Sequence, residues 1–182
     1  MEKLLFLDMD CAGANSWTDL EKYWKTQKKK GLSNKQISLA YDKEFKDGLE
    51  AIFPEKAALV SKIVEETRAK IVWSTSWRLC HPYKENIQCA RDMLTRHNMP
   101  GEALIGYTPD LGESAFRSDE IINYLQEHFP EEDSCRCAVL DDWEEAGYDL
   151  PPNCRFFQTG ERKGLTAAIA NQIIAYLNAE KK

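Results

Sequence analysis

Lys3-Leu4-Leu5-Phe6-Leu7-Asp8-Met9-Asp10 is the stretch that decides the fold. Four consecutive apolar residues end abruptly in carboxylates. A short, continuous apolar run reads as a strand buried on both faces, the kind found inside parallel sheets. Two later stretches repeat the pattern. Lys70-Ile71-Val72-Trp73-Ser74 runs into polar residues, and Arg136-Cys137-Ala138-Val139-Leu140 runs into Asp141 and Asp142. Shorter strands are expected over 103–107 and 155–158.

Helical patterns fill the intervals. Pro54 suits the first turn of a helix over 55–69, whose stripe is Ala58, Leu59, Ile63 and Val64. Pro82 is expected to open a helix to about His97, and Ser114–Phe129 and Thr166–Leu177 hold two more. Strands alternating with helices imply a parallel sheet covered on both faces, an α/β domain. The stretch 13–52 breaks the alternation. It reads as two helices, about 17–29 and 33–47, the second opened by a Ser33/Gln36 capping box and stopped at Gly48. The whole of 1–182 is expected to be one domain, with 13–52 a small helical cap inserted after the first strand.

Ligands of parallel sheets bind beyond the carboxyl ends of the strands. Four polar clusters fall there: Asp8 with Asp10, Ser74-Thr75-Ser76-Trp77-Arg78, Arg117 at a helix entry, and Asp141 with Asp142. Carboxylates crowded into one crevice need a cation, and an all-oxygen set favours a hard ion, magnesium first. Arg117 near a helix N-terminus opposes the helix dipole, which makes sense if an anion lies between them. Metal, arginine, hydroxyls and a helix end together describe a phosphoryl site.

In this order, Leu7-Asp8-Met9-Asp10, Val72-Trp73-Ser74, Arg117 and Leu140-Asp141-Asp142 resemble the four motifs of the haloacid dehalogenase (HAD) superfamily of phosphatases. Ser74-Thr75-Ser76-Trp77-Arg78 and Arg117-Ser118-Asp119-Glu120-Ile121 are similar to one branch, the HAD domains of Swiss Army Knife RNA-repair proteins. Thr108-Pro109-Asp110-Leu111 and Gly164-Leu165-Thr166 match its connecting pieces. The likeness covers about 3–10 and 53–177. It implies a HAD-like Rossmannoid three-layer sandwich. It implies Asp8 as nucleophile, Asp10 as acid and base, Ser74 and Arg117 on the phosphoryl group, and Thr75, Ser76 and Arg78 as substrate contacts. Magnesium would sit on Asp8, Asp10, Asp141 and Asp142. One departure stands out: the family has glycine after the second Asp, where Cys11 and Ala12 stand here and Gly13 comes late. Cysteine resists a tight turn of positive φ, so the loop is expected to be reshaped.

Composition narrows the setting. The chain has 182 residues, 43% hydrophobic and 30% charged, with net charge −6. No run of about 18 apolar residues is present, and the N-terminal run is too short for a signal peptide, so a cytoplasmic protein without membrane attachment is expected. The acidic balance favours a small phosphorylated molecule, or nucleic acid gripped only at its end. No obligate protein partner is evident. Lys25, Lys28, Lys29, Lys30 and Lys35, near Trp17, Tyr23 and Trp24, read as a solvated helix face or as a basic lip for a phosphorylated ligand. Cys135-Arg136-Cys137 lacks the second close pair of a zinc site, so its cysteines are expected to pack as small apolar residues. Two rivals share parts of the pattern. A receiver domain takes phosphate on a middle-strand Asp, and none ends the 71–74 run. A non-catalytic phosphate-binding protein on the same fold fits the Cys11-Ala12 departure but not the presence of both Asp8 and Asp10.

Overall fold

The computed structural model describes residues 1–10, 17–44, 52–131, 134–160 and 163–180. Five parallel strands form one sheet: β1 (Glu2–Leu7), β2 (Lys70–Trp73), β3 (Leu104–Tyr107), β4 (Cys135–Asp141) and β5 (Cys154–Gln158). Their spatial order is β3-β2-β1-β4-β5. The helices are α1 (Trp17–Lys29), α2 (Asn34–Glu44), α3 (Pro54–Thr67), α4 (Ile87–Arg96), α5 (Arg117–His128) and α6 (Ala167–Asn178). No helix among the described residues is long and apolar enough to cross a membrane.

Side chains along a strand alternate between faces, and the two cores follow that rule. Leu5 and Leu7 of β1, Ile71 and Trp73 of β2, and Ala138 and Leu140 of β4 pack with α3, α4 and α6. Leu4, Phe6, Val72, Cys137 and Val139 point the other way, onto Ile121, Tyr124 and Leu125 of α5. Helices therefore cover both faces, giving the expected three-layer α/β sandwich. The unbroken apolar run of β1 has a simple cause: Leu4, Leu5, Phe6 and Leu7 are all fully buried, two against each layer. Cys135 and Cys137 sit in the α5-side core with their sulfurs 3.5 Å apart.

The chain moves from β1 outward through β2 to β3, then returns to β4 on the other side. The reversal lies between β1 and β4, and a crevice opens at such a point beyond the strand ends. The ladder continues into the loops there. Asp8 N–H donates to Leu140 O at 3.0 Å, Ser74 N–H to Leu7 O at 3.1 Å, and Thr159 N–H to Asp141 O at 3.0 Å. The residues that leave the sheet are thus held by sheet geometry rather than by loose loops.

Local differences from expectation have clear causes. The 82–97 helix begins later, at Ile87, because the Asn86 side chain caps it by accepting from Gln88 N–H at 2.8 Å. Pro82 instead lies in a run of turns after a short 3-10 helix, Ser76–Leu79. Arg68 adopts φ 62° and ends α3 at Thr67. The Ser33/Gln36 box forms: Gln36 Oε1 accepts from Ser33 N–H at 2.9 Å, and Ser33 Oγ from Gln36 N–H at 3.4 Å. The expected stop at Gly48, the Cys11-Ala12-Gly13 turn and residues 13–16 and 45–51 of the insertion lie outside the described residues, as does the side chain of Trp17. Lys25, Lys28, Lys29, Lys30 and Lys35 are exposed on and just beyond α1 and on α2.

Candidate active site

Asp8 follows the last residue of β1 and is 5% exposed; Asp141 ends β4 and is 2% exposed. The two strands are hydrogen-bonded neighbours in register, so their terminal carboxylates must meet. Each of Asp8, Asp141 and Asp142 offers a carboxylate oxygen within 4.8 Å of the others. Among the described residues they are the one such trio of potential metal ligands. A cleft of about 490 Å³ opens over them, lined by Asp8, Asp10, Ser76, Arg117, Asp142 and Trp143, with Asp141 at its base.

The trio is electrostatically unbalanced. Burial pushes the Asp8 carboxyl well above the usual carboxylate range. Asp141 and Asp10 push the same way, against the lowering pull of Arg117. Burial likewise raises Asp141 to about 6, although the Trp143 N–H, 2.9 Å from Oδ1, and Arg117 oppose it. Asp141 Oδ2 is buried and accepts no hydrogen bond; Arg117 Nε lies 3.8 Å from it. Buried carboxylates are normally satisfied. Three converging oxygen donors, one of them orphaned, fit a divalent cation of the hard, oxygen-liganded class.

The cationic side is built differently. Arg117 opens α5, where Phe116 N–H is held by Asp119 Oδ2 at 2.8 Å. Arg117 Nη1 donates to Ser74 O and lies 3.5 Å from Glu120 Oε2, while Nε faces Asp141. Ser74 is fully buried and its Oγ has no hydrogen-bond partner. Ser76 reaches the cleft wall. Thr75 does not: it is fully buried, and its Oγ1 accepts from Trp77 N–H at 3.4 Å to cap the 3-10 turn.

Arg78 also turns inward. It is 3% exposed, and its nitrogens donate to Thr108 O at 2.9 Å, Thr75 O at 2.7 Å, Pro109 O at 3.2 Å and Glu120 Oε2 at 2.6 Å. With these partners it ties the β2 and β3 loops to α5, and it lines a groove beside the cleft. Glu120, to which sequence reasoning assigns no role, is the carboxylate shared by both arginines. Trp77 is a second such residue. Its indole N–H donates to Asp10 Oδ1 at 2.8 Å and so orients that carboxylate. The ring is held edge-on to Trp73 at 6.4 Å. His81 does not line the cleft; it is exposed and 3.4 Å from Glu85.

A parallel α/β sandwich with acids at the switch point and a Ser/Arg pair beside them defines the HAD class. A family model described as the HAD domain in Swiss Army Knife RNA repair proteins matches residues 4–170, and the chain belongs to that family. The match runs through the stretch after β1 that the motif likeness left uncovered. No curated protein and no solved structure matches the chain significantly. The family is one of hydrolases, phosphatases in general, whose members typically use a divalent metal.

Proposed function

We propose that the protein is a magnesium-dependent phosphomonoesterase working through an aspartyl-phosphate. One observation carries this reading: a nearly buried carboxylate, Asp8, belongs to an acidic trio suited to a cation and shares its cleft with an arginine anchored at a helix start. Asp8, Asp141 and Asp142 would hold the ion with Asp10, and the ion would neutralise the phosphoryl oxygens and the carboxylates together.

The chain's own groups account for the rest. An Asp8 oxygen attacks phosphorus, and the bond from phosphorus to the ester oxygen breaks. Asp10 gives its proton to that departing oxygen. Asp10 then takes a proton from water, which attacks the acyl phosphate, releasing inorganic phosphate and restoring Asp8. Two displacements replace one difficult step. Arg117 and the unpartnered Ser74 Oγ are suited to the equatorial oxygens of the transferring group. The Trp77 indole fixes how the Asp10 carboxyl is presented to the leaving group. Arg78 and Thr75 are positioning residues that hold the Ser74–Ser76 loop. The 13–52 stretch would cap the crevice, and the substrate would be a phosphorylated small molecule or nucleic-acid end in the cytoplasm.

Purified protein with magnesium and an aryl phosphate tests the reading. Release of phosphate that stops with EDTA and with Asp8→Ala is expected. Hydrolysis that persists in Asp8→Ala would remove Asp8 as nucleophile.

A further inference from the structure

The cleft over the carboxylates continues into a second groove of about 210 Å³. Ser76, Arg117 and Trp143 line both, so the groove leads directly away from the phosphoryl position. Its walls add Leu79, Gly112 and Ala115. Its acids are Glu113, Glu145 and the buried Glu120, and its only cations among the described residues are Arg78 and Arg117, both beside Glu120.

Trp143 is 58% exposed, yet its backbone is pinned: its N–H donates to Asp141 Oδ1 at 2.9 Å and its carbonyl accepts from Ala146 N–H at 3.1 Å. An indole displayed to solvent on a fixed backbone at the junction of two grooves costs hydration and contributes no core packing. It is a ready stacking face. The surrounding charge selects what can stack. A second phosphate entering this groove meets Glu113 and Glu145, while both groove cations are already engaged by Glu120. An uncharged ring meets Leu79, Ala115 and the indole. At about 210 Å³ the groove lies below the roughly 300–1,000 Å³ of pockets for drug-sized ligands, which suits one ring system.

We propose that Trp143 is a specificity-determining residue that stacks an uncharged aromatic or heteroaromatic ring carried by the leaving group of a phosphomonoester with a single phosphate. The proposal rests on the phosphatase reading for its chemistry, though the ring preference is measurable without turnover.

The test compares substrates with and without a ring and with one or more phosphates. With magnesium, kcat/KM is measured for ribose 5-phosphate, adenosine 5′-monophosphate, adenosine 5′-diphosphate and a 5′-phosphorylated oligonucleotide. Stacking of one base predicts that the monophosphate exceeds ribose 5-phosphate by about tenfold or more, chiefly in KM, and exceeds the two polyanions. Trp143→Ala brings the ratio of monophosphate to ribose 5-phosphate near one, while Trp143→Phe keeps most of it. Equal wild-type rates, a ratio that survives Trp143→Ala, or preference for the oligonucleotide would overturn the proposal. Calorimetric binding of the same ligands to Asp8→Asn separates the two readings. Ring-selective, Trp143-dependent binding without wild-type turnover leaves the groove standing and removes the phosphatase. Turnover without ring selectivity does the reverse.

Discussion

Arg78 with Glu120 and Asp8 with Asp141 are both buried charge clusters at the carboxyl edge of one sheet, and they are completed in opposite ways. Arg78 has a carboxylate at 2.6 Å and donates to four backbone carbonyls as well. The acid trio sets several negative charges against Arg117, which lies 3.8 Å from Asp141, and Asp141 Oδ2 accepts no hydrogen bond. A buried ion pair with its hydrogen bonds complete needs nothing from outside. A buried set of like charges holds together only if something else arrives. The first cluster therefore organises the loops, and the second is suited to receive a cation.

Substitutions on each side should separate these roles. Asp8→Asn is expected to give the largest effect, lowering turnover by about four orders of magnitude or more. The same change should raise the melting temperature of the metal-free protein, because it removes a carboxylate whose ionisation burial and Asp141 oppose. A variant that loses activity and also melts earlier would break the contrast. Glu120→Ala should act the other way, destabilising by about 3–5 kcal/mol in urea unfolding, since it leaves buried Arg78 uncompensated. A loss under about 1 kcal/mol would mean that the backbone carbonyls alone hold the arginine.

Asp141→Asn sharpens the electrostatic side through pH. Asp141 is raised to about 6 in the folded protein against 3.8, so the folded state holds its proton longer than the unfolded chain. Its contribution is complete below about pH 4 and is lost as pH rises through 6. Metal-free wild type and Asp141→Asn should have the same stability at pH 4, with the variant ahead at pH 7 by up to about 3 kcal/mol. Saturating magnesium should reverse the order at pH 7, as read by differential scanning calorimetry. The smallest effect is expected from Trp77→Phe, which keeps the ring beside Trp73 and removes the 2.8 Å bond to Asp10. Loss of about 1 kcal/mol, near fivefold in kcat at unchanged KM, is the expected outcome. An effect confined to KM would show that the indole serves binding instead.

The contrast also explains what is legible in the sequence. Apolar runs that stop at carboxylates place Asp8 and Asp141 at strand ends, because strand burial and its termination are local properties of residues in a row. Ser74 and Arg117 follow from the same logic. Arg78 does not, because an arginine after a strand looks the same in sequence whether it faces an anion or a glutamate 42 positions later. The partner of a buried charge is set by tertiary packing. Trp77 is hidden for a related reason: its ring reads as core, and only the fold shows its N–H aimed at Asp10 across 67 positions. The late start of α4 has a local cause, the Asn86 cap, which the prominence of Pro82 obscures.

The central place of β1 has a consequence for how the chain acquires its site during synthesis. Residues 2–7 find one neighbour in β2, where Leu4 meets Lys70, and the other only in β4, where Glu2 meets Cys135 and Leu7 meets Leu140. At roughly 5–20 residues per second, a ribosome finishes the second partner on the order of ten seconds after the first strand. Until then Asp8 lies beside an open sheet edge, without Asp141 and Asp142. The nascent chain therefore carries its proposed nucleophile long before it can hold a cation, and the trio comes into being in one step, when β4 pairs with β1.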